Sequence, residues 1–178
     1  MSSKDYIKLN GCLGFLLFAL MCSGILRCGP APRNDHKKVP YGGVDTRKFK
    51  TISPPFIDVV NKFTTEFNVS SAHLGVGYEF FYKNIVGLCF SYSNGLREIR
   101  INPHYEEIIT DPARFEQLMY HELGHCLLNL DHNDDHEDEK PESIMRSWLF
   151  STDEISEYYI PHRDEYINEL NFATPRSP

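Results

Sequence analysis

The sequence predicts an α+β domain: a small mixed sheet packed on one long helix, with a further helix at the C-terminal end. Three observations carry this. Leu74 to Asn102 is rich in aromatic and β-branched residues and is interrupted by turn signals, which reads as a run of strands. Phe115, Leu118, Met119, Leu123, Cys126 and Leu127 then recur at helical spacing. That helical stretch also contains His121-Glu122-Leu123-Gly124-His125, an H-E-x-x-H. A chain of 178 residues has room for one such domain with a real core.

The chain opens on a segment outside the domain. Met1 to Asn10 is short and polar with Lys4 and Lys8, and Gly11 to Leu26 is almost wholly apolar, the arrangement of an export signal. The apolar run is short for a span, which takes about 20 residues. It ends at Arg27-Cys28-Gly29-Pro30 and resembles a bacterial lipoprotein leader, in which the Cys becomes the lipidated first residue. Arg27 departs from that pattern, because the preceding position is usually small. Cys28 is the candidate for lipidation and Cys22 a second one. A cleaved secreted product and an uncleaved apolar anchor are the alternatives. The leader is thus residues 1–28, and the expected location is the cell envelope.

Gly29 to Gly43 is rich in Pro, Gly and charge without an apolar period, the composition of a tether. The domain is expected over residues 44–174. Ser53-Pro54-Pro55 starts a helix, and Phe56, Val59, Val60, Phe63 and Phe67 extend it amphipathically to Phe67. Leu74–Tyr82 and Ile85–Tyr92 read as strands joined by a tight turn at Lys83-Asn84. Ser93-Asn94-Gly95 is the stronger hairpin signal, since Asn-Gly accepts positive φ. Leu96 to Asn102 alternates charged and apolar residues, the pattern of a half-exposed strand at an edge. Such a strand either pairs with an extended peptide substrate or merely closes the sheet.

Asp111-Pro112 supplies an N-cap and a first-turn proline for the long helix, expected from Pro112 to Leu128. The acidic run Asn133 to Glu139, with His136, reads as a solvated loop, with an accessory metal site as the alternative. Thr152-Asp153-Glu154 is expected to cap a short helix. Pro161 to Leu170 reads as a C-terminal helix whose inward face is Tyr166, Ile167 and Leu170, and Thr174 to Pro178 as a tail.

The formal charge is −7, from 18 Lys+Arg against 25 Asp+Glu. Without residues 1–27 it becomes more negative still, which argues against a nucleic-acid partner. Beyond the leader and Cys28, only Cys89 and Cys126 remain. In an exported domain they form a disulfide or stay as two buried thiols. Both readings are open, because sequence does not give the Cα separation.

The H-E-x-x-H puts His121 and His125 on one helix face, four residues apart, where both imidazoles reach one metal ion. Glu122 lies between them, placed to take a proton from a metal-bound water rather than to ligate. It also falls beside the apolar stripe, a costly position for a carboxylate unless a cation lies near. His132 follows on the same segment, and Ser143-Ile144-Met145 comes after the acidic loop.

Together these residues resemble the metzincin clan of zinc peptidases, whose pattern is H-E-x-x-H-x-x-G-x-x-H with a methionine-containing turn beneath the metal. The tight resemblance covers His121 to Met145. It implies a zincin-like fold, Zn2+ held by His121, His125 and a third ligand, Glu122 as catalytic base, Met145 as the floor of the site, and hydrolysis of a peptide or protein substrate. The chain departs at two positions: Leu128 stands in the glycine position and Asp131 in that of the third histidine. If the helix runs one residue longer and Asn129 makes the left-handed turn, His132 becomes the third ligand. The competing register uses Asp131 and demands a left-handed Leu128. Some metzincins place a Tyr ligand two residues after the Met; here that position is Ser147, so none is expected. The Cys after the second histidine, the Ser-x-Met and Arg163 to Leu170 also resemble a group of predicted bacterial H-E-L-G-H-C lipoprotein metalloproteases. A monomer is expected. The reading from another class is a non-catalytic envelope lipoprotein with a structural or vestigial zinc site that binds a partner.

Overall fold

The computed structural model describes residues 38–39, 45–81, 85–134, 141 and 143–173. The leader with Cys22 and Cys28, most of the tether, the Lys83-Asn84 turn, most of the acidic loop with His136, and the tail lie outside the described residues. Among the described residues no helix is long and apolar enough to cross a membrane.

Strands β1 (Lys38–Val39), β2 (Leu74–Tyr78), β3 (Gly87–Tyr92) and β4 (Arg97–Ile101) form one mixed sheet in the order β1-β3-β4-β2. β3 and β4 are antiparallel, with Cys89 opposite Ile99. Their turn is the expected Asn-Gly hairpin, with Gly95 at φ 84°. β2 does not pair with β3 as its neighbour in sequence. It lies parallel to β4, Val76 opposite Ile99, so β4 is an inner strand and not an edge. The alternating charges of β4 mislead because they are buried and paired: Glu98 is fully buried and accepts from the Phe49 N–H at 2.7 Å, the Tyr92 hydroxyl at 2.9 Å and Arg100 at 2.8 Å.

The outer side of β2 is covered too. Val76 exchanges backbone hydrogen bonds with Thr51 and Ser53, and the Ser53 hydroxyl donates to the Val76 carbonyl instead of capping the helix that follows. β1 falls within the predicted tether and pairs in parallel with Ser91 and Tyr92. No apolar period announces it, because what it gains is backbone pairing at a free sheet edge.

A short 3-10 turn, Pro54–Phe56, leads into α1 (Ile57–Phe67). α1 ends at Asn68 in the left-handed conformation, φ 51°. After α2 (Glu106–Ile109) comes α3 (Pro112–Leu127), whose N-cap Asp111 accepts from the N–H groups of Ala113 and Arg114 at 2.9 and 3.1 Å. α3 packs on β3 and β4 and against α1. Phe56, Val60, Phe63, Val76, Ile99, Leu118 and Leu123 fill the core between them.

α4 (Thr152–Glu154) is capped by Ser151 rather than Thr152. The Ser151 hydroxyl and the Glu154 carboxylate form a reciprocal capping box, and a wider π turn, Ile155–Tyr159, follows. α5 (Arg163–Ala173) starts two residues later than expected. Arg163 clamps α5 to the helices beneath it, reaching Glu116 on α3 at 2.8 Å and Glu66 on α1 at 3.2 Å.

Cys89 on β3 and Cys126 on α3 are joined by a disulfide, with a Cα separation of 5.6 Å. It closes 37 residues of chain, which on loop-closure entropy stabilises the fold by about 4 kcal/mol. The double variant Cys89→Ser/Cys126→Ser is expected to lose most of that in denaturant unfolding. An unfolding midpoint equal to that of the parent would refute the contribution.

Candidate metal centre

The second half of α3 carries His121 and His125 on the face turned away from its core stripe. His121 is buried, and its Nδ1–H donates to the Ile144 carbonyl at 2.9 Å. The Nδ1–H of His125 donates to the Leu130 carbonyl at 2.6 Å. With both Nδ1 atoms engaged this way, each ring turns its Nε2 inward. The two Nε2 atoms lie 3.0 Å apart, and the Nε2 of His132 lies 3.2 Å from that of His125. Burial, reinforced by the neighbouring imidazoles, holds His121 well below its ordinary pKa and so keeps it neutral. Among the described residues this is the one group of His, Cys, Asp or Glu side chains that can hold a metal ion.

Imidazole nitrogens converging at these distances repel one another unless something positive lies between them. The donor set therefore fits a divalent cation that accepts three nitrogen ligands.

The third histidine of the cluster is delivered by the left-handed turn at Asn129, φ 57°. Leu128, at the glycine position of the metzincin pattern, is the C-cap of α3 and stays in the right-handed region at φ −100°, so the left-handed residue comes one position later than in that pattern. After Asn129 the chain doubles back. The Leu130 N–H donates to the Gly124 carbonyl at 3.1 Å, the Leu130 carbonyl receives His125, and His132 arrives beside the two helical histidines. Asp131 is exposed and outside the cluster.

Met145 is buried, and its sulfur packs on Gly124, between the two helical histidines in sequence; a Cβ at Gly124 would stand 2.7 Å from that sulfur. A side chain at residue 124 would push the Met145 thioether aside. The turn is sewn to the third-ligand segment by the Asn133 N–H on the Met145 carbonyl at 3.0 Å and by the Ser147 N–H on Asp134 at 2.7 Å. Ser147 thus engages Asp134 and takes no place in the histidine cluster.

Glu122 is 3% exposed, and burial pushes its carboxyl up to about 8 in the absence of a cation. It lies against Gly87 at the start of β3, where a Cβ would stand 2.5 Å from Oε1. Gly87 was not singled out by sequence. Its one signal is a glycine inside a strand, which often marks a close approach by another group. Glu169 on α5, which accepts a hydrogen bond from Ser143, lies in the Arg163 to Leu170 resemblance, but nothing in the sequence signals its contact with the methionine turn.

The chain matches no family model, no curated protein and no solved structure.

Replacing His132 by Ala is expected to weaken metal binding by more than about 100-fold, since even residues that only support a ligand cost 10–100-fold. Asp131→Ala is expected to leave it unchanged. Competition with a chromophoric chelator measures both, and a large loss on Asp131→Ala would reassign the ligand. The turn is tested separately: Asn129→Gly keeps metal affinity, whereas Asn129→Val, forced into left-handed backbone, costs about 1–2 kcal/mol of stability. Equal stability of the two variants in urea would show that the turn is not a constraint.

Proposed function

We propose that the chain is a zinc-dependent metallopeptidase of metzincin-like design. The observation that carries this reading is the pairing of three inward-facing Nε2 atoms with a buried carboxylate that no histidine needs. A purely structural centre would use a fourth protein ligand and would have no use for Glu122 in the apolar layer between α3 and β3. This favours catalysis over an envelope protein that only binds a partner.

His121, His125 and His132 would hold the ion. When bound, a zinc ion there supplies a Lewis acid for the scissile carbonyl and an acidified water as nucleophile. Glu122 takes the proton from the attacking water on its carboxylate and returns it to the leaving nitrogen. Gly87, with no side chain, leaves that carboxylate its room. The hydrogen bonds from His121 and His125 to backbone carbonyls fix the ring planes, so little reorganisation is needed during the reaction.

The substrate strand belongs on β3 rather than on β4, the strand that the charge pattern suggested. Both sides of β4 are occupied within the sheet, whereas among the described residues no strand pairs with Gly87 to Phe90 on the side away from β4. A peptide lying there would pass the carboxylate beside Gly87, and extended backbone suits pairing at a strand edge. The leader reading places the enzyme at the cell envelope, held by a lipid at Cys28 or by the apolar segment.

The test is Glu122→Gln in the zinc-loaded protein, assayed on a mixed peptide library with mass-spectrometric detection. Zinc content is expected to stay at one per chain while cleavage falls by about 1,000-fold, within the range for loss of a general base. Gly87→Ala, which pushes on the same carboxylate, is expected to lower cleavage at unchanged zinc content. Wild-type protein that binds zinc but cleaves nothing in the library would overturn the peptidase reading.

A further inference from the structure

α5 is tied to the metal centre by contacts that neither the motif nor the cleavage mechanism uses. Glu169, on the inner side of that helix, accepts a hydrogen bond from the Ser143 hydroxyl at 2.5 Å. The Ser143 oxygen in turn accepts from the Met145 N–H at 2.9 Å. Between those two residues lies Ile144, fully buried, whose carbonyl receives the Nδ1–H of His121. A continuous polar path therefore runs from the C-terminal helix through the methionine turn to the first histidine. Besides Ser143, the Asn133 side chain and the Ile144 backbone N–H act on the buried Glu169 carboxyl. A carboxyl so buried is costly, and an apolar residue would fill the position more cheaply if packing were the only need.

Two further contacts give α5 a fixed position from which to act. One turn earlier on the helix, the Tyr166 hydroxyl donates to the Pro141 carbonyl, just before the methionine turn. At its start, Arg163 holds Glu116 of α3. α5 is thus anchored to α3 at one end and grips the turn near the other. Arg163 and Glu169 are six residues apart, about 9 Å along a helix axis.

We propose that Glu169 is a positioning residue of the metal centre: through Ser143 it sets the height of the Ile144 carbonyl and so the orientation of the His121 imidazole. The proposal rests on the reading of His121, His125 and His132 as metal ligands. A carboxylate here acts as a hydrogen-bond acceptor, so a glutamine, which keeps the acceptor oxygen, serves nearly as well. An alanine does not. Ser143→Ala breaks the same path one step nearer the ligand, and the two losses overlap instead of adding.

The experiment uses the full chain loaded with cobalt in place of zinc. Metal affinity of the folded protein is measured by chelator competition, and the ligand field by the visible absorption of bound cobalt. Glu169→Ala and Ser143→Ala are each expected to weaken binding by about 10–100-fold and to shift the cobalt bands. The double variant is expected to lose no more than either single one, and Glu169→Gln to recover most of the affinity. Asn168→Ala, exposed on the same helix, is the control and stays as the parent. Unchanged affinity and an unchanged cobalt spectrum in Ser143→Ala and Glu169→Ala, even with a lowered unfolding midpoint, would reduce Glu169 to a packing residue and overturn the proposal. If Glu169→Ala does not fold, Ser143→Ala against Glu169→Gln gives the same decision. Failure of the parent chain itself to bind cobalt or zinc would be a different result, striking the metal-ligand reading on which the proposal stands.

Discussion

Three imidazoles held with the Nε2 of His125 3.0 Å from that of His121 and 3.2 Å from that of His132 are the constraint to which the rest of this fold answers. Lone pairs at that distance repel, and free histidine side chains would rotate apart. Here they cannot. The Ile144 carbonyl holds His121, the Leu130 carbonyl holds His125, and the turn at Asn129 delivers His132. Both carbonyls belong to segments outside α3 that must be brought back against it. Each return depends on a tight contact: Leu130 through its N–H on Gly124, and Ile144 through Met145, whose sulfur rests where a side chain at residue 124 would be. Gly124 therefore serves both returns, one with its carbonyl and one with its missing Cβ. The entropy of ordering these segments is met before any ligand arrives, which is what a preorganised site requires.

The carboxylate is placed by the same device. Glu122 lies in the layer between α3 and β3, where an apolar residue would pack more cheaply. Gly87 yields it the space, and the Cys89–Cys126 disulfide ties the two elements on either side of it. Cys126 follows His125 directly and Cys89 lies two residues from Gly87, so the cross-link fixes the strand-to-helix spacing at the level of the site. Arg97 adds to this from β4, donating to the Cys126 carbonyl at 3.1 Å near the end of α3.

What could be read from the sequence was what depends on neighbours in the chain. The α3 cap at Asp111, the two histidines on one face, the Asn-Gly hairpin and the left-handed Asn129 each follow from a few adjacent residues and a steric rule. Asn129 is the sharpest case: asparagine tolerates positive φ where leucine does not, and that preference alone separates His132 from Asp131 as the third member of the cluster. Contacts between distant segments were not legible. Strand order was read as sequential, yet β4 lies between β2 and β3, because pairing is decided by faces that meet only in the folded sheet. The cysteine pairing stayed open for want of a Cα separation. Gly87 carried no motif, since it acts by lacking a side chain, and Glu169 stood in the Arg163 to Leu170 resemblance without a role, since it acts through two intervening residues.

The misreading of β4 as an edge has a physical lesson of its own. Its charged positions Glu98 and Arg100 point to the sheet face opposite α3, and an alternating pattern normally means that such a face is wet. Residues 45–50 cover it instead. Asp45 is held at about 2 by the Arg47 guanidinium beside it, and Arg47 also donates to the His73 carbonyl at 2.8 Å, fastening this segment over the sheet. Lys48 reaches Glu79 at 2.8 Å, Arg100 bridges Glu79 and Glu98, and the Arg100 guanidinium lies 4.3 Å from the Phe90 ring centre. Alternation along a strand shows that its two faces differ in chemistry; it does not show which of them meets water. A network that satisfies its own charges can line a buried face, at the cost of desolvation and with the gain of a defined register. Here that register sets β3 beside α3, and with it the distance between Gly87 and Glu122.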